Sequence, residues 1–165
     1  SASGVKVNSE VHSAFSNLCD RRKENRYIIF KIEEGEIVVE TAVSQLELAA
    51  DQEYQDNSKD AFEKIAQDLR TRTNAFTDCR YAVFDFKFTF ERIGAGMSKC
   101  DKIVFVQLCP GSAPLKSKML YASSSSAIKN VLDRGRLFQF QVGESGLFLQ
   151  DILSTLLEKY SRNMR

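Results

Sequence analysis

Residues 81–90 read Tyr-Ala-Val-Phe-Asp-Phe-Lys-Phe-Thr-Phe. Ala82, Phe84, Phe86, Phe88 and Phe90 take every second position, with Tyr81, Val83, Asp85, Lys87 and Thr89 between them. Successive strand side chains point to opposite faces, so this period of two fits a β-strand and no helix. Four phenylalanines on one face require a covering layer, which the chain must supply. The face with Asp85 and Lys87 reads as the wetter side, so the expectation is a half-buried strand.

The flanking segments supply partners and cover. Residues 27–32 (Tyr-Ile-Ile-Phe-Lys-Ile) are β-branched and aromatic; Glu34-Gly35 turns the chain, and Ile37-Val38-Val39 returns as a hairpin. Gly94-Ala95-Gly96 is a second hairpin tip, followed by an apolar strand over 103–109 and a last strand over 137–142. Asn8 or Ser9 caps a helix with Val11, Phe15, Leu18 and Cys19 on one side. Ser58 is expected to cap another, with Ala61, Phe62, Ile65, Ala66 and Leu69 inward. Ser112 is expected to cap a long helix reaching Leu132, and Ser145 or Gly146 to open a terminal helix with Leu149, Ile152, Leu153, Leu156 and Tyr160 on one side. Residues 43–57 read as a loop with some helix, and residues 1–7 as a flexible arm. The order α-β-β-α-β-β-α-β-α, with its hairpins, predicts one α+β domain over 1–165 around a largely antiparallel or mixed sheet.

The titratable inventory narrows the chemistry. His12 is the one histidine, and Cys19, Cys79, Cys100 and Cys109 are spaced 60, 21 and 9 apart. No C-x-x-C or paired histidine offers metal-ligand spacing, so the thiols read as reduced and mostly buried. A Ser-His-Asp or Cys-His device would depend on His12 beside the N-terminal arm, and the chain does not read as an enzyme. Gly94-Ala95-Gly96-Met97-Ser98-Lys99 lacks both phosphate-loop and dinucleotide spacing. No apolar run is long enough to cross a bilayer as a helix. Residues 1–7 lack the basic start and apolar stretch of a secretory signal.

Charge is segregated although the net is +1. Residues 33–68 carry eleven acids against two lysines, and residues 99–136 carry seven bases against two acids. Two solvated faces would explain this, and so would a basic half facing an anionic partner. On a wheel of the long helix, Leu120, Ala127, Ile128 and Val131 form a core stripe. Leu115, Lys118, Met119, Ala122, Ser126 and Lys129 lie opposite, with Lys116 at the flank. Either a neighbouring loop covers Leu115 and Met119, or they form an interface stripe whose lysines steer an acidic partner.

Residues 113–124, Ala-Pro-Leu-Lys-Ser-Lys-Met-Leu-Tyr-Ala-Ser-Ser, closely resemble the long-helix motif of the actin-depolymerising factor/cofilin family. Ala2-Ser3-Gly4-Val5, residues 78–85 (Asp-Cys-Arg-Tyr-Ala-Val-Phe-Asp) and Lys102-Ile103-Val104-Phe105 agree in order and spacing. Within the family the chain is most similar to nematode members. The resemblance implies the actin-depolymerising-factor homology fold, a mixed central sheet flanked by helices. It also implies a cytoplasmic, monomeric cytoskeletal protein that binds actin monomer and filament, prefers the ADP form, promotes depolymerisation, and needs no cofactor, metal or nucleic acid. By position, the monomer-binding surface is Ser3, Gly4, Val5, Leu115, Lys116, Lys118 and Met119, and Ser3 matches the family's inactivating phosphorylation site. The filament surface is Lys99 and Lys102 on the hairpin with Glu158, Lys159 and Arg162 near the C-terminus. Cys100 replaces an arginine of some members and Asp101 adds an acid, which predicts weak severing. Phosphoinositide binding by the same lysines is the alternative function. The vertebrate nuclear-import run is replaced around Lys31-Ile32-Glu33-Glu34, and the C-terminal histidine of vertebrate members is missing.

Overall fold

The computed structural model describes residues 4–20, 24–48, 54, 56–143, 154–156 and 158–159. Its elements are β1 (Lys6–Val7), α1 (Ser9–Cys19), β2 (Asn25–Glu33), β3 (Glu36–Ser44), α2 (Gln45–Leu48), α3 (Lys59–Arg72), β4 (Arg80–Arg92), β5 (Gly96–Leu108), α4 (Leu115–Val131) and β6 (Leu137–Val142), with a 3-10 turn at Arg134–Arg136. Residues 154–156 and 158–159 are helical, and Leu156 is buried. The remaining residues expected in the terminal helix, except Lys159 and its described neighbours, lie outside the described residues.

The strands form one mixed sheet in the order β1-β3-β2-β4-β5-β6. Its centre is antiparallel, while β1 on β3 and β6 on β5 are parallel. The parallel β5/β6 pair needs a crossover, and α4 provides it. One core layer joins α3 (Ala61, Phe62, Ile65, Leu69) to Phe84, Phe86, Phe88 and Phe90. The opposite layer joins α1 (Val11, Phe15, Leu18) and α4 (Tyr121, Ile128) to Tyr81, Val83 and Phe105. Each fully buried phenylalanine in such a core contributes about 1.5–3 kcal/mol relative to exposure.

Several expectations are corrected. β4 is buried on both faces from Arg80 to Phe88, including Asp85 and Lys87. The polar residues of its second face are paired rather than solvated. Asn8 does cap α1, accepting from the Glu10 amide at 2.9 Å. Ser58 stands at the N-cap of α3 but its side chain makes no capping bond, and Pro114, not Ser112, stands at the N-cap of α4. The Ser112 hydroxyl instead donates to the Phe76 carbonyl at 3.0 Å, tying the connection before α4 to the turn after α3. The arm is shorter than expected, because Lys6 and Val7 pair with Glu36 and Ile37. Val5 is 8 % exposed within the α4-side core.

The long helix is also rotated from its expected core stripe. Tyr121, Ser124, Ser125 and Ile128 are its buried residues, while Leu120, Ala127 and Val131 are half-buried. The cause is a tyrosine clamp. The Tyr121 hydroxyl accepts from the Ile32 amide at 2.8 Å, and the Tyr81 hydroxyl donates to the Tyr121 carbonyl. The two rings lie 5.0 Å apart. Two small serines beside Tyr121 let the helix lie close to the sheet.

Candidate functional site

The start of α4 departs from ordinary helix design. Pro114 sets the entry, and no side chain caps it. The first turn holds Lys116 and no acid, with Lys118 just behind, so cations stand at the positive end of the helix dipole. Lys116 is exposed and has no ion pair among the described residues. Lys118 is half-buried and donates to the Gly111 carbonyl at 3.1 Å. Leu115 and Met119, one turn apart, are 69 % and 64 % exposed. Ala122 and Ser126 continue that exposed face. No loop among the described residues covers it. Lys129, expected on the same face, is half-buried with its Nζ 5.6 Å above the Phe105 ring. Burial, with a smaller effect of Arg134, lowers its pKa.

The arm arrives beside this helix. β1 lies against α4, and Val5 shares a core cluster with Ala113 and Tyr121. Gly4 is exposed with φ at +73°, a region glycine occupies without strain. Gly4, Val5, Leu115, Lys116, Lys118 and Met119 therefore belong to one region, with Val5 acting as its buried anchor. Ser3 lies outside the described residues.

The second set of residues is arranged differently. Lys99 pairs across the hairpin with Thr89, and Lys102 with Phe86, so the two lysines occupy opposite faces of β5. Lys99 Nζ stands 5.1 Å over the Tyr54 ring, and Lys87 Nζ stands 5.4 Å over the same ring. Asp101 is not the free opposing charge expected from sequence. It lies 3.3 Å from Lys87 Nζ and accepts from the Tyr54 hydroxyl. Cys100 packs against the α3-side core. Glu158 and Lys159 are exposed, with Lys159 Nζ 4.8 Å over the Phe138 ring. Arg162 lies outside the described residues.

Tyr54 is held at the end of a polar seam along β4. Arg26 is fully buried; its Nε donates to the Asp85 carbonyl at 2.8 Å and its Nη2 to Ser58 Oγ at 3.0 Å. Ser58 Oγ also donates to the Lys87 carbonyl at 2.7 Å and accepts from the Lys87 amide at 2.9 Å. Asn57 Oδ1 accepts from the Thr89 amide at 3.0 Å. These side chains pair the edge of β4 where β2 has ended, an arrangement that protects an open edge. They also explain the left-handed backbone of Asn57 and Ser58, since such conformations persist when surrounding bonds over-determine them. Burial draws the Arg26 pKa down to about 10, against opposing effects of Asp85, Asp101, Tyr54 and Asp56.

The family model of the cofilin/tropomyosin-type actin-binding proteins matches residues 4–151. The chain belongs to the cofilin family. It is 54% identical over 144 residues to actin-depolymerizing factor 1, isoforms a/b, of Caenorhabditis elegans, an alignment covering 87% of this chain and 68% of that protein. It is 36% identical to actin-depolymerizing factor 2, isoform c, of the same organism, covering 87% of each. The solution structure of the ADF-like UNC-60A protein of C. elegans superposes with a TM-score of 0.80 at 51% identity, covering 97% of this chain and 98% of that one. The mixed sheet with its helices is thus the fold of this family, a family of actin-binding regulators rather than enzymes.

In this cofilin-family chain, sequence reasoning located the α4 stripe and missed the seam of Arg26, Ser58, Lys87 and Tyr54. The alternation of 81–90 did carry a signal. Asp85 and Lys87 on a strand this apolar are charges that burial compels to pair.

Proposed function

We propose that this chain binds actin monomers, the ADP-bound form in preference, through the start of α4 and the arm at residues 3–5, and promotes filament depolymerisation with weak severing. It would do so as a monomer in the cytoplasm. The observation that carries the reading is the exposed Leu115/Met119 pair flanked by Lys116 and Lys118 at an uncapped helix start. Cations there oppose the helix dipole, and Lys118 gains only its bond to the Gly111 carbonyl inside the fold, whereas an acidic cleft in a partner would reward both. Phosphate on Ser3, the residue before Gly4, would add about −1.5 to −2 charges to the arm and repel an acidic cleft.

Weak severing follows from the second region. Lys99 and Lys102 diverge across β5, and Lys99 is engaged by Tyr54. Severing requires grip on two subunits at once, and this half of the grip is divided. The test pairs a fluorescence titration of labelled actin monomers with co-sedimentation on preformed filaments and severing counted by microscopy. Tight monomer binding, weaker filament binding and few breaks are expected, with Ser3→Glu weakening the titration. Frequent severing in the unmodified protein would overturn the ranking. Binding to phosphoinositide vesicles in a flotation assay without actin binding would replace the reading by the lipid one.

A further inference from the structure

Cys79 and Cys109 face each other where β4 begins and β5 ends. We propose that this thiol pair is a reversible disulfide site, formed by a peroxide oxidant and closing the connection that enters α4. The β4/β5 register ends at Arg80 opposite Leu108, which places Cys79 opposite Cys109 one step further out. Both side chains turn to the α4-side core, and their sulfurs are 3.9 Å apart with both thiols free.

The backbone makes the closure feasible. The Cys109 amide donates away from β4 to the Val142 carbonyl at 2.8 Å, and the Cys79 amide donates to Asp78 Oδ1 at 2.8 Å. Neither amide points across to the other, so this is a non-hydrogen-bonded pair. Such pairs bring Cα atoms to roughly 4.5 Å, at the short end of the range a disulfide bridges.

Access is asymmetric. Cys79 is fully buried, and burial with the neighbouring Cys109 pushes its pKa up to about 12. Cys109 is half-buried and, with Cys79 fully buried, is the sulfur of the pair that an oxidant meets. In the first step Cys109 attacks a peroxide oxygen, giving Cys109 sulfenic acid with one oxygen of the peroxide lost as water. In the second, the Cys79 sulfur displaces hydroxide from that sulfenic acid, and its own proton leaves with the hydroxide as a second water. Two thiols are oxidised by two electrons and one hydrogen peroxide is reduced. The adjoining chain, Pro110 to Pro114, leads straight into Leu115, and its Gly111 carbonyl receives Lys118. The bond would staple that connection to the start of β4.

The test treats the folded wild-type chain with graded hydrogen peroxide, alkylates the remaining thiols and maps non-reduced peptides by mass spectrometry. The expected product is a linked pair of peptides carrying Cys79 and Cys109, two hydrogens lighter than their sum and released by dithiothreitol. Oxidation should raise the melting temperature by roughly 3–8 °C. Cys109→Ser should keep Cys79 alkylatable at the same dose and abolish the rise. Cys109 going on to sulfinic acid with Cys79 still free, a bond to Cys19 or Cys100, or a covalent dimer through Cys109 would each overturn the proposal. The wild-type map decides the matter even if a cysteine variant fails to fold.

Discussion

Two regions of this molecule carry lysines close to aromatic or apolar side chains, and they use them in opposite ways. On the β4/β5 hairpin, Lys87 and Lys99 share the Tyr54 ring, and Lys87 also holds Asp101. At the start of α4, Lys116 has no ion pair among the described residues, and its neighbours Leu115 and Met119 are exposed. A cation with internal partners is committed to the fold. A cation set against a helix dipole with no partner weakens the fold and is available to something outside it. The difference turns on bonds made, not on residue type or local charge.

The largest expected effect is on binding. Lys116→Ala with Lys118→Ala should weaken monomer actin by about 2–5 kcal/mol, roughly 30-fold or more, if the pairs are buried in the complex. Urea unfolding should barely change. Near wild-type affinity in the monomer titration would remove the functional half of the comparison.

Ser58→Ala attacks the other region. It deletes the shared partner of Arg26 Nη2, the Lys87 amide and the Lys87 carbonyl. Buried groups left without partners predict a loss of about 2–4 kcal/mol in urea unfolding, with monomer affinity unchanged. A loss of binding at full stability would show that the seam is not merely structural.

Titration distinguishes the regions without mutation. Burial raises the phenol pKa values of Tyr27, Tyr81 and Tyr121; a hydrogen bond to Asp68 adds to the rise at Tyr27. A raised folded pKa means that their contribution to stability is complete below the ordinary tyrosine value, about 10, and is lost as pH climbs through the raised values. The thiols of Cys19 and Cys79, raised by burial, act in the same direction as the phenols, while Arg26, drawn down to about 10, and Lys129, also lowered by burial, act in reverse. Melting temperature should stay level from pH 7 to about pH 8 and fall beyond about pH 9, less steeply in Tyr81→Phe. A melting temperature that rose above pH 10 would contradict the sign.

The smallest effect is the sharpest. Lys116→Glu puts an acid where the helix dipole favours one and should raise stability by about 0.3–1 kcal/mol while abolishing monomer binding. Stability and binding moving in the same direction would refute the claim that Lys116 is held for a partner.

Much of this protein was legible in its residues. Alternation over 81–90 specified a strand because side-chain direction is a local property of backbone geometry. The exposed stripe of α4 followed from spacing, and the 113–124 motif pointed to the family before any contact was known. Local rules failed where a side chain had a stronger claim on it. The Ser58 hydroxyl serves the β4 edge although the residue holds the N-cap of α3, the Ser112 hydroxyl goes to Phe76, and Tyr121 turned α4 so that two serines, rather than Leu120 and Val131, face inward. Asp101 looked like an opposing surface charge until Tyr54, 47 residues away, closed on it. Periodicity and propensity depend on neighbours a few positions apart, and the sequence by itself determines those. Whether a polar group faces water or a distant partner depends on which segments the fold brings together. Only the tertiary structure decided that, because a buried hydrogen bond or ion pair exists only once both halves of it have been placed.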